Sequence, residues 1–128
     1  MANDTNNNAA NNSQSGTGLQ PNISATLSYL FGFVTGLIFF LIEKDNKFVK
    51  FHAMQSTITS LGFTFVYFFF MMFAFVLPSF LSLLMWCLIS LMALSYLGLM
   101  IFLMYKAYSN EKFMLPLVGS LAEKLSNQ

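Results

Sequence analysis

The only histidine of the chain opens a row of polar side chains in an otherwise apolar stretch. The row stands at positions i, i+3, i+4 and i+7 of a predicted helix, and therefore on one helical face, as His52, Gln55, Ser56 and Thr59. Polar groups inside a membrane are costly and usually face the bundle interior or a watery cavity. The face therefore predicts one of two roles. One is a proton or substrate pathway through His52, and the other is a structural polar clamp in which His52 and Gln55 hydrogen-bond to a loop or to neighbouring helix ends.

The depth of His52 favours the clamp. His52 lies two residues from Lys50, only about 3 Å along a helix axis, which places it at the membrane interface rather than at the midplane. No Asp, Glu or Arg lies in residues 51–105 to continue a proton relay or to balance an ion. We therefore favour a structural role for this polar face over transport chemistry.

The other titratable residues do not form a catalytic or metal-binding pattern. The acidic residues stand in tails or at the ends of apolar segments, at Asp4, Glu43, Asp45, Glu111 and Glu123. The sequence contains no Ser–His–Asp arrangement, metal-ligand spacing or glycine-rich phosphate loop. We therefore predict that the chain is not an enzyme and holds no cofactor and no metal. Six lysines and a net charge of +1 give no basic field for nucleic acid.

The composition predicts a lipid environment. Of 128 residues, 56% are hydrophobic and only 9% are charged, whereas a soluble domain carries about 25% charged residues. We predict an integral membrane protein whose first partner is the lipid bilayer, either the cell membrane of a prokaryote or an organelle membrane. Residues 1–22 are rich in Asn, Ser and Gly and predict a disordered tail. Residues 23–128 are predicted to form a helical membrane domain.

The apolar segments predict an all-α membrane protein with three transmembrane helices. A crossing needs about 20 apolar residues, and the first uncharged segment, residues 23–42, has that length. Residues 51–105 are too long for one crossing. Pro78 removes a backbone donor and disfavours helix at Leu77, so it divides this stretch into spans 51–76 and 79–105.

The lysines predict an orientation. With three spans, the first loop and the C-terminal segment lie on one side of the membrane, and all six lysines fall there. Four of them act as charge anchors at the ends of spans: Lys44, Lys47, Lys50 and Lys106. Because lysine-rich segments stay in the cytoplasm, the prediction is N-terminus out and C-terminus in. Tyr29, Tyr105 and Tyr108 fit the aromatic belts at the membrane interfaces.

Small residues recur every four positions along the first predicted span. They form one stripe, Ser24, Ser28, Gly32 and Gly36. Such a helix-packing stripe lets another helix approach closely. That helix belongs either to a second copy of the chain or to another span of the same chain, and for so small a bundle we favour the same chain.

A short amphipathic segment follows the last span. Residues 115–126 place Pro116 at a first helical position and collect apolar side chains on the face opposite Ser120, Glu123 and Lys124. This pattern predicts a short C-terminal helix in the cytoplasmic interface, where it would cover the loop that carries His52.

Two stretches carry a family resemblance. They are LSYLFGFVTGLIFFLIEKDNKFVKFHAMQS, at 27–56, and YKAYSNEKFMLPLVGSLAEKL, at 105–125. Over residues 24–125 the chain resembles a family of small prokaryotic membrane proteins of unassigned function, related to the Tic-twenty component of the chloroplast protein-import machinery. The resemblance implies helical spans with FHAMQ at the start of one of them. It also implies a link to protein translocation or to a larger membrane assembly.

Two functions from different classes follow. The first is a structural or interaction subunit of a membrane assembly, which binds a membrane-protein partner or further copies of itself. The alternative is a component of a protein-translocation or transport pathway, as the resemblance to an import component would suggest. We favour the first. His52 is the only residue in the apolar stretch 51–104 whose charge changes near neutral pH, and it stands at the edge of that stretch.

Overall fold

The described part of the chain folds into five helices. The computed structural model describes residues 15–127. In this range the helices are, in chain order, α1 (Pro21–Leu27), α2 (Phe33–Ile42), α3 (Lys47–Val76), α4 (Ser79–Tyr108) and α5 (Val118–Ser126). The all-α prediction is confirmed for these residues. The predicted disorder of residues 1–14 lies outside the described part of the chain.

Helices α3 and α4 are the two helices among the described residues that are long and apolar enough to span a membrane. Each has 30 residues, which makes it about 45 Å long, and each is apolar enough to cross a membrane. They contain the predicted spans 51–76 and 79–105. The turn between them lies at Pro78, as predicted, because Leu77 is extended with ψ 151° and the proline cannot continue α3.

The first predicted span, residues 23–42, is not one helix. Helix α1 ends at Leu27 and α2 begins at Phe33. Between them Gly32 has φ 62° and ψ −126°, a backbone conformation that glycine adopts readily and other residues rarely. The chain reverses at this point, so α1 and α2 form a helical hairpin. We call residues 21–42 the re-entrant hairpin.

Both ends of the re-entrant hairpin lie at the same end of the α3–α4 pair. The Gly16 amide donates to the Glu43 carboxylate at 2.8 Å, just before α3 begins. The side-chain amide of Asn22 donates to the carbonyl of Tyr108, where α4 ends, at 3.1 Å. The described residues therefore do not support the predicted three spans and contain two helices long and apolar enough to span a membrane.

We call this end of the molecule the lysine end, because Lys44, Lys47 and Lys50 lie beside or within the start of α3 and Lys106 lies in the last turn of α4. Residues 15–22 lie at the lysine end together with the C-terminal segment. They form a turn and the first residues of α1 instead of the predicted disordered tail. The prediction that the N-terminal segment lies on the opposite side from the C-terminus depended on a third span and loses its basis with it, whereas C-terminus in depends on the lysines alone and stays a prediction.

The tip of the re-entrant hairpin reaches the middle of α3. A Cβ atom at Gly32 would lie 2.8 Å from the hydroxyl oxygen of Ser60. Ser60 stands about 15 Å beyond Lys50 along the helix axis, which is about half of a ~30 Å hydrocarbon layer. The outer face of α2 is apolar and exposed, through Val34, Leu37, Ile38 and Leu41. The hairpin therefore runs beside the first half of α3 and ends at about the middle of that helix.

The hydrophobic core also lies at the lysine end. Its buried residues are Ala25, Tyr29, Phe48, Met100, Leu103 and Ala107. Helix α5 packs on α3 and buries Gly119 and Ala122. It begins at Val118 rather than near residue 115, because Pro116 lies in a turn and Leu117 has φ 65°.

Candidate functional site

The polar face of α3 is the place where three parts of the chain meet. His52, Gln55 and Ser56 are all fully buried. They contact Tyr29 and the tip of the re-entrant hairpin on one side. On the other side they contact residues 111–115, which we call the strap because they cross α3 between α4 and α5. We call these residues together the polar junction.

One chain of hydrogen bonds runs through the polar junction. The His52 Nε2 atom lies 3.2 Å from the carbonyl oxygen of Glu111, and a carbonyl only accepts, so Nε2 carries the proton. Nδ1 is then an acceptor, and it lies 2.9 Å from the hydroxyl of Tyr29. Tyr29 in turn accepts from Gln55 Nε2 at 3.1 Å. The chain therefore runs from Gln55 to Tyr29, to His52 and to the strap, and this order assigns the histidine tautomer.

Gln55 holds the strap with both ends of its amide. Its Nε2 donates to the carbonyl of Phe113 at 3.0 Å, and its Oε1 accepts from the amide of Leu115 at 3.2 Å. His52 contacts the carbonyl of Glu111 in the same segment. These contacts fall on every second residue of the strap, 111, 113 and 115. The face of α3 thus binds the strap through its backbone.

Ser56 and Thr35 stabilise the tip of the hairpin. Ser56 donates to the carbonyl of Ser28 at 2.7 Å and lies 3.1 Å from that of Gly32. Thr35 accepts from the amide of Phe31 at 3.1 Å, and its hydroxyl lies 3.0 Å from the Ser28 carbonyl. These hydroxyls satisfy backbone groups that the break in the helix leaves unpaired, which a lipid environment requires.

Thr59, the fourth residue of the predicted polar face, is not part of the junction. Its hydroxyl oxygen is buried and has no hydrogen-bond partner within residues 15–127. It borders a cleft of about 360 Å³ between α3 and α4, whose lining also includes Ser95 and Tyr96. The neighbouring Ser60 hydroxyl lies 2.7 Å from that of Tyr96. The polar face therefore splits into a strap-binding part and a part that faces α4.

The small-residue stripe lies within the same chain. A Cβ atom at Gly36 would lie 2.6 Å from the Thr57 hydroxyl and 2.8 Å from the carbonyl oxygen of Ala53, both on α3. Ser24 and Ser28 are fully buried. Ser24 lies 2.8 Å from the Thr17 hydroxyl. The stripe does not run along one helix, because the chain reverses at Gly32.

The lysine anchors lie at the surface of the lysine end. The Lys106 ammonium lies 2.6 Å from the Glu111 carboxylate, and that of Lys50 lies 5.6 Å from the ring centre of Phe40. Exposed ion pairs of this kind contribute about 0–1 kcal/mol. Lys44 and Lys47 are exposed. These lysines therefore determine the charge of the lysine end more than they contribute to the stability of the fold.

Two residues of the lysine end were not predicted as site residues. Tyr29, which the sequence placed in an aromatic belt, is 2% exposed and sits inside the junction. That prediction was wrong because the hairpin turns at Gly32 and carries Tyr29 inward. Glu43 is also 2% exposed, although its place between two apolar segments predicts a surface position.

The Glu43 carboxylate joins the start of the re-entrant hairpin to the start of α3. It accepts from the hydroxyl of Ser15 and from three backbone amides, those of Gly16 at 2.8 Å, Asn46 at 2.9 Å and Asp45 at 3.2 Å. Burial disfavours the charged form and raises the pKa of Glu43. The hydrogen bonds, led by that of Ser15, outweigh this effect and hold the pKa below its ordinary value.

Replacing Glu43 with glutamine is expected to destabilise the protein by about 2 kcal/mol at neutral pH, because an amide NH₂ group would face backbone donors. A lowered pKa in the folded state stabilises at pH above the unfolded value of about 4.3 and loses this effect as pH falls through the folded value. Below about pH 4, the stability of the Glu43→Gln variant should therefore depend less on pH than the stability of the unchanged protein does. Thermal unfolding in detergent across a pH series measures both effects.

Asp45→Asn is the matched control for this prediction, since Asp45 is exposed and only its backbone amide contacts Glu43. Equal stability of Glu43→Gln and the unchanged protein at neutral pH would contradict the account, as would an equal loss in Asp45→Asn.

Comparison with known proteins gives a family and no solved structure. Residues 18–122 match the MamF/MmsF family, described as the magnetosome magnetite crystal formation protein family. A UPF0132 membrane protein of Methanocaldococcus jannaschii is 43% identical over 109 residues, which cover 85% of this chain and 91% of the relative. One of Archaeoglobus fulgidus is 43% identical over 111 residues, which cover 83% and 95%. No solved structure matches the chain.

Proposed function

Because this chain belongs to the MamF/MmsF family and its archaeal relatives are named UPF0132 membrane proteins, we propose that it is a structural and interaction subunit of a membrane assembly. Its membrane location follows from the relatives' names and from two helices long and apolar enough to span. The proposal concerns what the protein does there.

The closure of the polar junction upon itself supports a structural role. His52 and Gln55 are fully buried, and the hydrogen bonds of their side chains go to Tyr29 and the strap of the same chain. The ring of Phe48 lies 4.6 Å and that of Phe51 lies 5.3 Å from the His52 ring, between their centres. Such a group joins elements of the fold instead of presenting an imidazole to water or to a substrate.

The lysine end is the part of the molecule that suits a partner. There the hairpin, the strap and α5 lie together, with Leu117 88% exposed and Leu121 about half exposed. We propose that this surface contacts a membrane-protein partner or further copies of the chain. The lipid bilayer covers the remaining apolar surface of α3 and α4.

The description of the family concerns magnetite crystal formation. In crystal formation of this kind, we propose for this chain only the role of a membrane subunit. Within residues 15–127, no group of three or more His, Cys, Asp or Glu side chains lies together as a metal site would require.

A transport or protein-translocation component is the second candidate, and it would also fit the resemblance to the Tic-twenty import component. The cleft between α3 and α4 favours it, because the Thr59 hydroxyl, which has no hydrogen-bond partner within residues 15–127, borders the cleft together with Ser95 and Tyr96. Neither the family description nor the names of the archaeal relatives mentions import.

Counting chains per particle and measuring flux distinguish the two candidates. Extraction of native membranes into lipid nanodiscs, followed by mass measurement of single particles, should give particles with more than one polypeptide. The His52→Leu and Gln55→Leu variants should change this assembly while solute flux across reconstituted vesicles stays as in the unchanged protein. Single-chain particles would contradict the subunit role. Lost flux in variants that still assemble would favour transport.

A further inference from the structure

The two halves of the membrane-embedded fold have different widths. In the half at the lysine end, α1 and α2 lie beside α3 and α4, so four helical segments stand together. Beyond Ser60 the described residues contain only α3 and α4. Since each helix is about 10 Å wide, the protein cross-section differs by about two to one between the two halves.

The extra width lies in hydrocarbon and not in water. The tip of the hairpin exposes Leu30 and Phe31, at 52% and 71% of their surfaces, and the outer face of α2 is apolar along its length. No charged residue occurs between residues 15 and 42. A segment with these properties is stable only among lipid tails. The hairpin therefore displaces lipid from one leaflet alone.

The hairpin is fixed firmly enough to keep this shape. Gly36 lies in direct contact with the backbone of α3. The Ser56 hydroxyl holds the carbonyls at the tip, and Glu43 holds the two open ends together. Helix α5 packs on α3 at the same end and exposes Leu121.

From this asymmetry we propose that the chain acts as a membrane wedge. It occupies more area in the leaflet at the lysine end than in the opposite leaflet, so it favours membranes in which the leaflet at the lysine end is the convex one. The ligand it recognises is a curved lipid surface. This inference does not depend on the proposed subunit role, because a single chain has the wedge shape.

The test uses the full chain in giant vesicles from which thin membrane tethers are pulled. A Cys87→Ala, Asn127→Cys variant carries one fluorophore at the lysine end. An impermeant quencher added outside removes the signal of molecules whose lysine end faces outward, so each orientation is measured in the same vesicle. The quantity is the protein density in the tether relative to the flat membrane, normalised to a lipid dye.

Opposite sorting of the two orientations is the expected result. Molecules with the lysine end outward should be enriched in the tether, with a ratio above one, and those with it inward should be depleted, with a ratio below one. A ratio of one in both orientations would overturn the proposal. Ratios above one in both orientations, or below one in both, would also overturn it, since a wedge must reverse its preference when it is inverted. The reversal serves as the control, because both populations are the same folded protein.

Discussion

Replacing Gly36 with alanine is expected to destabilise the protein by about 2 kcal/mol, although alanine is the better helix former by about 1 kcal/mol. The new methyl group would lie 2.8 Å from the Ala53 carbonyl oxygen and 3.0 Å from the Thr57 amide nitrogen. Both are backbone atoms of α3, which cannot rotate away, so α2 must move. Overpacking of this kind costs about 1–3 kcal/mol. Thermal unfolding in detergent measures the change.

Gly62→Ala is the matched control for this prediction. Gly62 lies inside α3, and a Cβ atom there would meet nothing within 4 Å. The control should therefore be as stable as the unchanged protein or more stable by up to about 1 kcal/mol. Gly98, inside α4, offers a second open position of the same kind. A Gly36→Ala protein of unchanged stability and altered oligomer size would contradict the packing of α2 on α3, and would place Gly36 between copies.

Replacing Gln55 with leucine is expected to cost about 3 kcal/mol or more. The Phe113 carbonyl and the Leu115 amide would lose the partner that Gln55 supplies, and the Tyr29 hydroxyl would lose a donor. Each unpaired buried group costs about 1–3 kcal/mol. Residues 111–115 should also exchange their amide hydrogens faster, because the strap loses its main contact with α3. Thermal unfolding and hydrogen exchange measure these two effects.

Thr59→Val tests whether the polar face acts through the strap or through its general polarity. Thr59 stands one helical turn further on the same face, and its hydroxyl has no partner within the described residues. The valine variant removes this hydroxyl at nearly constant volume, so we expect little loss of stability and no change in exchange of the strap. An equal loss in Thr59→Val and Gln55→Leu would contradict the account of the polar junction.

The parts of the fold that the sequence predicts are those set by local rules. Length and apolar composition are enough to find α3 and α4, and Pro78 is enough to place the turn between them. The helical spacing of His52, Gln55 and Ser56 is by itself enough to put them on one face. Their partners on the strap are far away in sequence, so the pattern predicts a polar face without the strap that covers it.

The re-entrant hairpin could not be predicted from length and charge. Residues 23–42 meet the requirement for a crossing as well as α3 does. All six lysines lie on one side whether this segment crosses the membrane or returns, because in both cases the first loop and the C-terminal segment share that side. The deciding contacts are tertiary. They are those of Gly32 with Ser60, of Ser56 with the tip, and of Glu43 with residues 15–16.

Accessibility of single cysteines from the two sides of a membrane tests the re-entrant hairpin most directly. In a Cys87→Ala background, Gln20→Cys, Asn127→Cys and Ser79→Cys each introduce one exposed thiol, before α1, after α5 and at the turn between the spans. An impermeant maleimide is applied to sealed vesicles of uniform protein orientation. We expect Gln20→Cys and Asn127→Cys to react from the same side and Ser79→Cys from the opposite side. Reaction of Gln20→Cys from the side of Ser79→Cys would show a third crossing and contradict the account.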